Sequence, residues 1–267
     1  MEPITFYKYE GAGNDFIMIN NFNNNLAVNQ KEIAYLCDRH FGIGADGLIL
    51  LEEIKGYDFK MVYYNADGSP AKMCGNGSRC AVAFAKDLEL VKQSTTFIVD
   101  DMIFKGKIDD NYLITILMPN ECNLIYKNDE EYFFTISKVP HIVKFVNNLI
   151  SLDILPDAKR IRHAKSFEKT NGTNVNYIEK ISNNILYVRT YEKGVEDETL
   201  ACGTGIIAST LSIAEKEDLQ GSHVFTVKAK GGELTIGFEK NAELFSNITM
   251  TGYSNRIFKG KTYIKSL

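Results

Sequence analysis

The sequence predicts an α/β protein of two similar halves, each with strands wrapped against one buried helix. Three observations carry this expectation. Strand-like and helix-like segments alternate along the chain. The segment YYNADGSPAKMCGNGSRCAVAFA has a counterpart, TYEKGVEDETLACGTGIIASTLSIA, and each runs strand, polar turn, linker, Cys-Gly-x-Gly, apolar helix. Cys74 and Cys202 lie 128 positions apart, and so do Phe97 and Phe225 in the strands that follow. An equal offset at two landmarks argues for a duplicated domain of that size. Two copies are too few for a solenoid, which needs about three units to bury a continuous core.

The elements follow in order. FYKY and FIMIN read as short strands around a turn at Gly11–Asn14. Asn29 and Glu32 have capping-box spacing, and Ile33, Leu36, Cys37 and His40 recur at helical intervals, so a helix is expected from Gln30 to the glycines of FGIGADG. GLILLEE and FKMVYYN read as strands, with NADGSP as a turn after the second. Ala81, Phe84, Ala85 and Leu88 have helical periodicity, which places Cys74 and its glycines at a helix N-terminus. TTFIV, DMIFKGKI and YLITILM follow in the first half, and HVFTV, GELTIGF and SNITMTG in the second. The helix after Cys202 has little polar face, as expected of one enclosed by strands. Pro119 to Cys122 is the expected domain boundary, and Asn20–Asn25 reads as a polar loop with nothing catalytic in it.

Composition narrows the function classes. At 267 residues and 45% apolar, the chain has ample material for one large or two medium cores. Thirty Lys and Arg stand against 34 Asp and Glu, and there is no polybasic run, which argues against nucleic acid or membrane surfaces as partners. The N-terminus carries an early acid and no apolar leader core, and no apolar run reaches membrane-spanning length. Five cysteines without a CxxC pair suit neither a disulfide scaffold nor zinc. The expected address is the cytosol.

Cysteines in such a chain are ordinarily small buried hydrophobes, and Cys37, Cys80 and Cys122 read that way. Cys74 and Cys202 differ, because each directly precedes Gly-x-Gly at a predicted helix start. There, backbone N–H groups and the helix dipole stabilise a thiolate. The same N–H groups suit an anion such as a substrate carboxylate. Two such sites bracketing one carbon would suit a two-base reaction, in which one thiolate takes the α-proton and the opposite thiol returns one to the other face. Preorganised N–H donors would stabilise the enolate-like charge, and a water-poor cleft would strengthen them. FGIGADG lacks the Gly-Lys-Ser/Thr of a phosphate loop and reads as a structural turn. A Cys–His hydrolase using His141 would leave the duplicated motif unexplained. From the residues alone, His141 is as much scaffold as site. The histidines and carboxylates form no metal pattern, so no metal is expected.

With both motifs in hand, the sequence resembles the diaminopimelate epimerases, of the cofactor-independent two-cysteine racemases and epimerases. The ordered match includes GAGNDF, FGIGADG, NADGSPAKMCGNGSRC, the PH of VPHIV, GTNVNYI, YEKGVEDETLACGTG and KGGELTI. The resemblance implies two pseudo-symmetric domains, each a mixed β-sheet rolled as a barrel around a central helix. Their expected extents are 1–118, with 253–267 returning to it, and 119–252. It implies interconversion of LL- and meso-diaminopimelate in lysine and peptidoglycan precursor synthesis, without pyridoxal phosphate or metal. Carried over by position, Cys74 and Cys202 are base and acid, and His141 and Glu192 tune them. Gly75, Asn76, Gly203 and Thr204 supply donors to the reacting carboxylate. Asn14, Asn65, Asn174, Glu192 and Lys193 complete the substrate-binding set. A homodimer with its contact near Phe258 is implied as well.

Three departures stand out. Lys193 replaces the usual Arg, keeping the charge but losing the bidentate fork. Val139 replaces a frequent Asn before Pro-His, and the turn before Cys202 carries one extra residue, VEDET for VGET. The first two fall where the far end of the substrate is read. They leave as alternatives a racemase or epimerase of glutamate, histidine or lanthionine using the same cysteines, and, in another class, a non-catalytic amino-acid-binding protein.

Overall fold

The computed structural model describes residues 3–23, 26–119, 122–128 and 130–264. Asn24 and Asn25 of the polar tract, and Asn120 and Glu121 of the expected boundary, lie outside the described residues. The chain folds into two compact units, Met1–Leu117 with Gly252–Leu267, and Met118–Thr251.

The first unit contains β1 (Ile4–Gly11), β2 (Asn14–Asn20), α1 (Gln30–Cys37), β3 (Gly47–Glu52), β4 (Phe59–Asn65), β5 (Pro70–Ala71), α2 (Gly75–Asp87), β6 (Ser94–Val99), β7 (Met102–Ile108) and β8 (Leu113–Leu117). The second contains β9 (Cys122–Lys127), β10 (Glu131–Ile136), β11 (Val139–Phe145), α3 (Leu155–Arg162), β12 (Asn174–Ser182), β13 (Ile185–Glu192), β14 (Asp197–Thr199), α4 (Gly203–Lys216), β15 (Gly221–Ala229), β16 (Gly232–Asn241) and β17 (Leu244–Tyr253). A final strand, β18 (Asn255–Thr262), returns to pair with β1.

The two sheets have the same topology. In the first unit the order is β18-β1-β2-β3-β4-β6-β7-β8, with β5 on the far end of β4. In the second it is β9-β10-β11-β12-β13-β15-β16-β17, with β14 on the far end of β13. The parallel pairs are β2–β3 and β4–β6 in one, β11–β12 and β13–β15 in the other. Parallel neighbours need a crossover, and in each unit the two crossovers contain the two helices. The duplication therefore extends through the whole strand order, with β9 in the place of β18.

Local chemistry sets the boundaries. Ala12 and Gly13 have φ of 53° and 79°, the primed-turn geometry that closes a two-residue hairpin. Asn29 caps α1 as a full capping box: its side chain accepts from Glu32 N (3.1 Å), and the Glu32 carboxylate accepts from Asn29 N (2.8 Å). The helix ends earlier than its periodicity suggested. The Asp38 carboxylate accepts from both His40 N and Phe41 N at 2.7 Å, turning the chain so that His40 is exposed. Gly42 is required there, since a Cβ would meet the Tyr35 carbonyl oxygen at 2.0 Å.

Each sheet rolls around one helix. α2 touches β1, β2, β3, β4, β7, β8 and β18, and every residue from Gly75 to Ala85 is buried. α4 touches β10, β11, β12, β13 and β15 and is buried from Gly203 to Glu215. Two of its buried hydroxyls are satisfied within the helix, Thr210 donating to the Ile206 carbonyl (2.9 Å) and Ser212 to that of Ala208 (2.8 Å), while the Ser209 hydroxyl has no partner among the described residues. Buried Glu215 pairs with Lys240 (3.0 Å) and Lys127 (2.9 Å). In the first unit Phe84 of α2 lies 4.8 Å from Tyr7 and 5.7 Å from Tyr9 between ring centroids, and Phe97 stacks on Phe59 (4.8 Å) and Phe104 (5.6 Å). Its counterpart Phe225 stacks on Phe238 at 6.1 Å. Among the described residues no helix is long and apolar enough to cross a membrane.

Phe97 is fully buried within its aromatic stack. Phe97→Ala is expected to destabilise the protein by about 3–5 kcal/mol, read as a lowered urea midpoint by circular dichroism. A loss below about 1 kcal/mol would contradict its place in the core.

Candidate functional site

Each unit opens its central helix with a cysteine. Cys74 is the N-cap of α2, and its sulfur accepts from Gly77 N at 3.4 Å. Its extended backbone (φ −127°, ψ 119°) is the usual N-cap conformation. First-turn N–H groups point out of a helix end, and their dipoles favour negative charge there. Gly77 lies close under the strands: a Cβ there would stand 3.0 Å from Ile49 Cδ1 and 3.2 Å from Met61 Cε, so those side-chain ends would have to shift.

Asn14, at the start of β2, places its Oδ1 3.6 Å from the Cys74 sulfur. Its Nδ2 donates to Asp46 Oδ2 at 2.7 Å. Asp46 also takes Arg39 at 2.8 Å, and Asp15 beside it is held by Arg39 and Lys8, each at 2.7 Å. Burial alone would raise the Asp15 pKa, but hydrogen bonds from Arg39 and Lys8 outweigh it and keep the carboxyl well below the usual range. Asp46 belongs to FGIGADG, so that turn, read from sequence as purely structural, also holds a predicted substrate-binding side chain. Strand register puts Asn65 opposite Gly47, which in turn pairs with Phe16, so Asn14 and Asn65 share one end of three neighbouring strands. The Asn65 amide is turned to the Ser69 hydroxyl at 3.1 Å.

In the second unit Cys202 is the N-cap of α4 and is buried. Its sulfur makes no side-chain capping bond and sits 3.7 Å from the Thr204 hydroxyl. His141, on β11, is wholly buried. The neighbouring Asn176 amide fixes its tautomer. Asn176 Oδ1 accepts from the Thr190 hydroxyl (2.9 Å) and its Nδ2 donates to the Ile142 carbonyl (2.9 Å), so Nδ2 faces His141 Nδ1 at 3.3 Å. Nδ1 is thereby the acceptor and Nε2 carries the proton. Among the described residues Nε2 has no partner. Burial pushes the imidazole pKa down to about 3, so the ring is neutral at pH 7 and its proton-bearing nitrogen is a donor. That tautomer offers no base to a Cys–His hydrolase. Gly205 lets α4 begin against this cluster, since a Cβ would stand 2.2 Å from Asn176 Oδ1.

Asn174, two residues before Asn176 on β12, donates to the Pro140 carbonyl (3.3 Å) and accepts from Lys193 N (2.7 Å). It therefore ties the His141 strand to the Glu192–Lys193 corner. Glu192 ends β13, half-buried. Lys193 Nζ donates to the Thr170 carbonyl at 2.7 Å, and burial and the nearby Arg162 lower its pKa. The extra residue in the VEDET turn falls where Glu196, at φ 61°, clamps Arg162 at 2.7 Å. Val139 is half-buried at the start of β11.

The remaining cysteines divide. Burial pushes the Cys37 and Cys80 thiols up to about 12, which makes both inert at neutral pH. Cys122 is only half-buried on β9, so the expectation of a buried thiol fails there. A cavity of about 290 Å³ on the second unit is lined by Arg162, His163, Lys165, Glu168 and Asn171, and none of the predicted site residues lines it. Among the described residues no three His, Cys, Asp or Glu side chains gather as a metal site.

Sequence reasoning missed Asn176, Thr190 and Asp46, which orient predicted site residues. A signal existed for Asn176: Asn174 and Asn176 alternate on one face of a strand buried throughout its first five residues.

A family model described as diaminopimelate epimerase matches residues 6–101 and 134–257. The chain is similar to the diaminopimelate epimerase of Flavobacterium psychrophilum, 42% identical over 260 residues covering 95% of this chain and 98% of that one. It is 34% identical to that of Aquifex aeolicus, with 96% of each chain covered. Among solved structures, a PhzF-family phenazine biosynthesis protein of Bacillus anthracis shares the fold with a TM-score of 0.76 at 13% identity, covering 99% of this chain and 100% of that one. A hydroxyproline epimerase of Agrobacterium vitis does so with a TM-score of 0.69 at 13% identity, covering 99% and 94%.

The buried imidazole has a consequence for stability. With a folded pKa near 3 against 6.5 in the unfolded chain, the unfolded state binds this proton first as the solution is acidified. The contribution is complete above about pH 6.5 and is lost progressively as pH falls toward 3. Urea midpoints between pH 7.5 and 4.5 should fall on acidification, and His141→Gln should flatten part of that slope. An unchanged slope in the variant would show that His141 takes up its proton while the protein is still folded.

Proposed function

The chain belongs to the diaminopimelate epimerase family, and from that premise we propose that Cys74 and Cys202 are the acid–base pair inverting the α-carbon, each serving one face. The protein is an isomerase acting on diaminopimelate, in the formation of lysine and peptidoglycan precursors. The observation that carries the site assignment is positional. The two cysteines are the N-caps of the two buried central helices, at equivalent points of two units with one topology.

In this reading one sulfur is a thiolate and the other a thiol when substrate binds. The thiolate takes the α-proton, and the electron pair left on carbon delocalises into the α-carboxylate. The N–H groups of Gly75 and Asn76, with those of Gly203 and Thr204, stabilise that developing charge. The opposite thiol then protonates the other face. Reversing the roles runs LL- to meso-diaminopimelate or back. Thiolate, thiol and backbone dipoles supply the whole of this chemistry, so no cofactor is called upon. His141 contributes a neutral N–H donor rather than a base, and with Glu192 it adjusts the cysteines.

Asn14, Asn65 and Asn174 hold the zwitterionic ends. Lys193 supplies the positive charge for the distal carboxylate in place of Arg. Its tie to the Thr170 carbonyl fixes the ammonium that a shorter, non-forked side chain would otherwise leave loose. Val139 contributes shape alone. The named substrate of the full-length relatives favours diaminopimelate over glutamate, histidine or lanthionine, and over a binding protein without turnover. A homodimer through β18, where Ile257 and Phe258 are exposed, and a cytosolic location complete the reading.

LL-Diaminopimelate incubated with reduced enzyme in deuterated water is expected to give α-deuterated meso product, and absence of exchange would overturn the assignment. Cys74→Ala and Cys202→Ala should each lower kcat/KM about 10²–10⁴-fold. Lys193→Ala should raise KM for diaminopimelate more than it lowers kcat, whereas equal losses for substrates lacking the distal group would remove Lys193 from substrate recognition.

A further inference from the structure

The 128-residue offset pairs the two central helices position by position, and two successive pairs differ in polarity, Ser78 against Ile206 and Arg79 against Ile207. Gly75 answers to Gly203, Asn76 to Thr204 and Gly77 to Gly205, but Arg79 answers to Ile207. Both side chains are completely buried. A guanidinium stands in the first unit where the second has a hydrocarbon.

Among the described residues Arg79 has no carboxylate partner. One terminal nitrogen donates to Asn76 Oδ1 at 2.8 Å and the other to the Gly75 carbonyl at 3.4 Å, while its Nε has no partner among the described residues. Burying a charge against neutral dipoles alone is costly, and an apolar residue of similar volume would ordinarily be preferred. The second unit shows that the fold accepts one.

The ionisable groups facing this charge are Cys80, Cys74 and Glu10. Cys80 stays protonated, because burial pushes it up to about 12, and its sulfur accepts from Ser254 at 3.1 Å. Glu10, on β1, is engaged elsewhere, accepting from Gly13 N (3.0 Å) and Asn255 Nδ2 (2.6 Å). Behind Asn14 lie Asp15, Asp46, Arg39 and Lys8, two negative and two positive groups that balance one another. What remains is Cys74, immediately before the two residues that Arg79 holds. The capping geometry favours charge at the same place, since the Cys74 sulfur accepts a backbone N–H from Gly77.

We propose that Arg79 is a positioning residue that makes Cys74, and not Cys202, the thiolate of the resting enzyme. The inference rests on the reading of the two cysteines as an acid–base pair. It gives the pair a direction: resting enzyme takes the α-proton onto the Cys74 sulfur and delivers the Cys202 thiol proton to the opposite face. Product leaves behind a protonated Cys74 and an ionised Cys202. The resting state is restored when Cys74 gives its proton to solvent and Cys202 takes one up.

The test is the pH dependence of iodoacetamide alkylation in the substrate-free, reduced enzyme, followed separately for each cysteine by peptide mass spectrometry. The pH midpoint is the readout, because restricted access slows alkylation at every pH alike whereas the midpoint follows ionisation, and the Arg79 variants separate the effect of the guanidinium from that of burial. In the wild-type enzyme the Cys74 midpoint should lie below that of Cys202. Arg79→Met should raise the Cys74 midpoint by about one pH unit or more, equivalent to a tenfold smaller thiolate fraction below the midpoint, and leave Cys202 unmoved. Arg79→Lys should keep most of the wild-type value. Equal midpoints, or a lower one for Cys202, overturn the proposal from the wild-type enzyme alone, whether or not the variants fold. A folded Arg79→Met variant with an unmoved Cys74 midpoint overturns it too. Either result in an enzyme that still exchanges deuterium into diaminopimelate leaves the acid–base pair standing, whereas absence of exchange removes the pair itself.

Discussion

A helix enclosed by strands can satisfy its side chains by apolar packing, but that packing does nothing for the N–H groups of its first turn. Those groups point along the axis, and burial of the rest of the helix concentrates the polar business of the unit at one end. Both α2 and α4 are in this position, buried from their first residue for three turns. The consequences follow outward. The N-cap becomes the place on the helix where a negative side chain meets unpaired N–H groups, and the cysteines occupy it. At Gly205 a neighbouring strand comes so close that a Cβ would stand 2.2 Å from Asn176 Oδ1. The crossovers that feed the helix from one strand and return it to a parallel one are what hold it inside.

The same scaffold supports two differently furnished ends. In the first unit the cysteine's neighbour, Asn14, is backed by a network of four charges that includes Asp46 and Arg39. In the second, His141 is held by neutral hydrogen bonds through Asn176 and Thr190, with no charge in the cluster. A carboxylate network and an amide network stabilise their centres by different means: the first by opposed charges, the second by neutral hydrogen bonds in a dry setting. Duplication thus conserved the helix and its strands while the polar supports diverged.

How much of this was legible in the sequence depended on the length scale. The repeated Cys-Gly-x-Gly and the 128-residue offset exposed the two-fold architecture, and the capping box placed the start of α1 to the residue. The end of α1 was not legible, because the Asp38 side chain competes for backbone N–H groups that periodicity assigns to the helix. His40 therefore continued a pattern it does not belong to. The cysteines stood out because their flanking glycines have a local physical meaning. Asn176, Thr190 and Asp46 did not, because their roles depend on partners 14 to 35 residues away in the chain, visible only when strands are in register. Cys122 was misjudged for the related reason that burial is a property of the neighbours and not of the residue.

The return of β18 to β1 has a meaning for how the chain is made. Ile4 pairs with Thr262, so the first sheet cannot complete its edge until the chain has been made through residue 262. The second unit draws on one continuous stretch, and its strand equivalent to β18, β9, immediately precedes β10 in the chain. The later-synthesised half is thus the one able to close its sheet first, while the earlier half waits with an open strand edge. Contacts so distant in sequence slow folding, and an unpaired edge during that interval invites pairing with other chains. Two units of one topology consequently differ in contact order and in their exposure to misassembly, through nothing more than where the chain places a single strand.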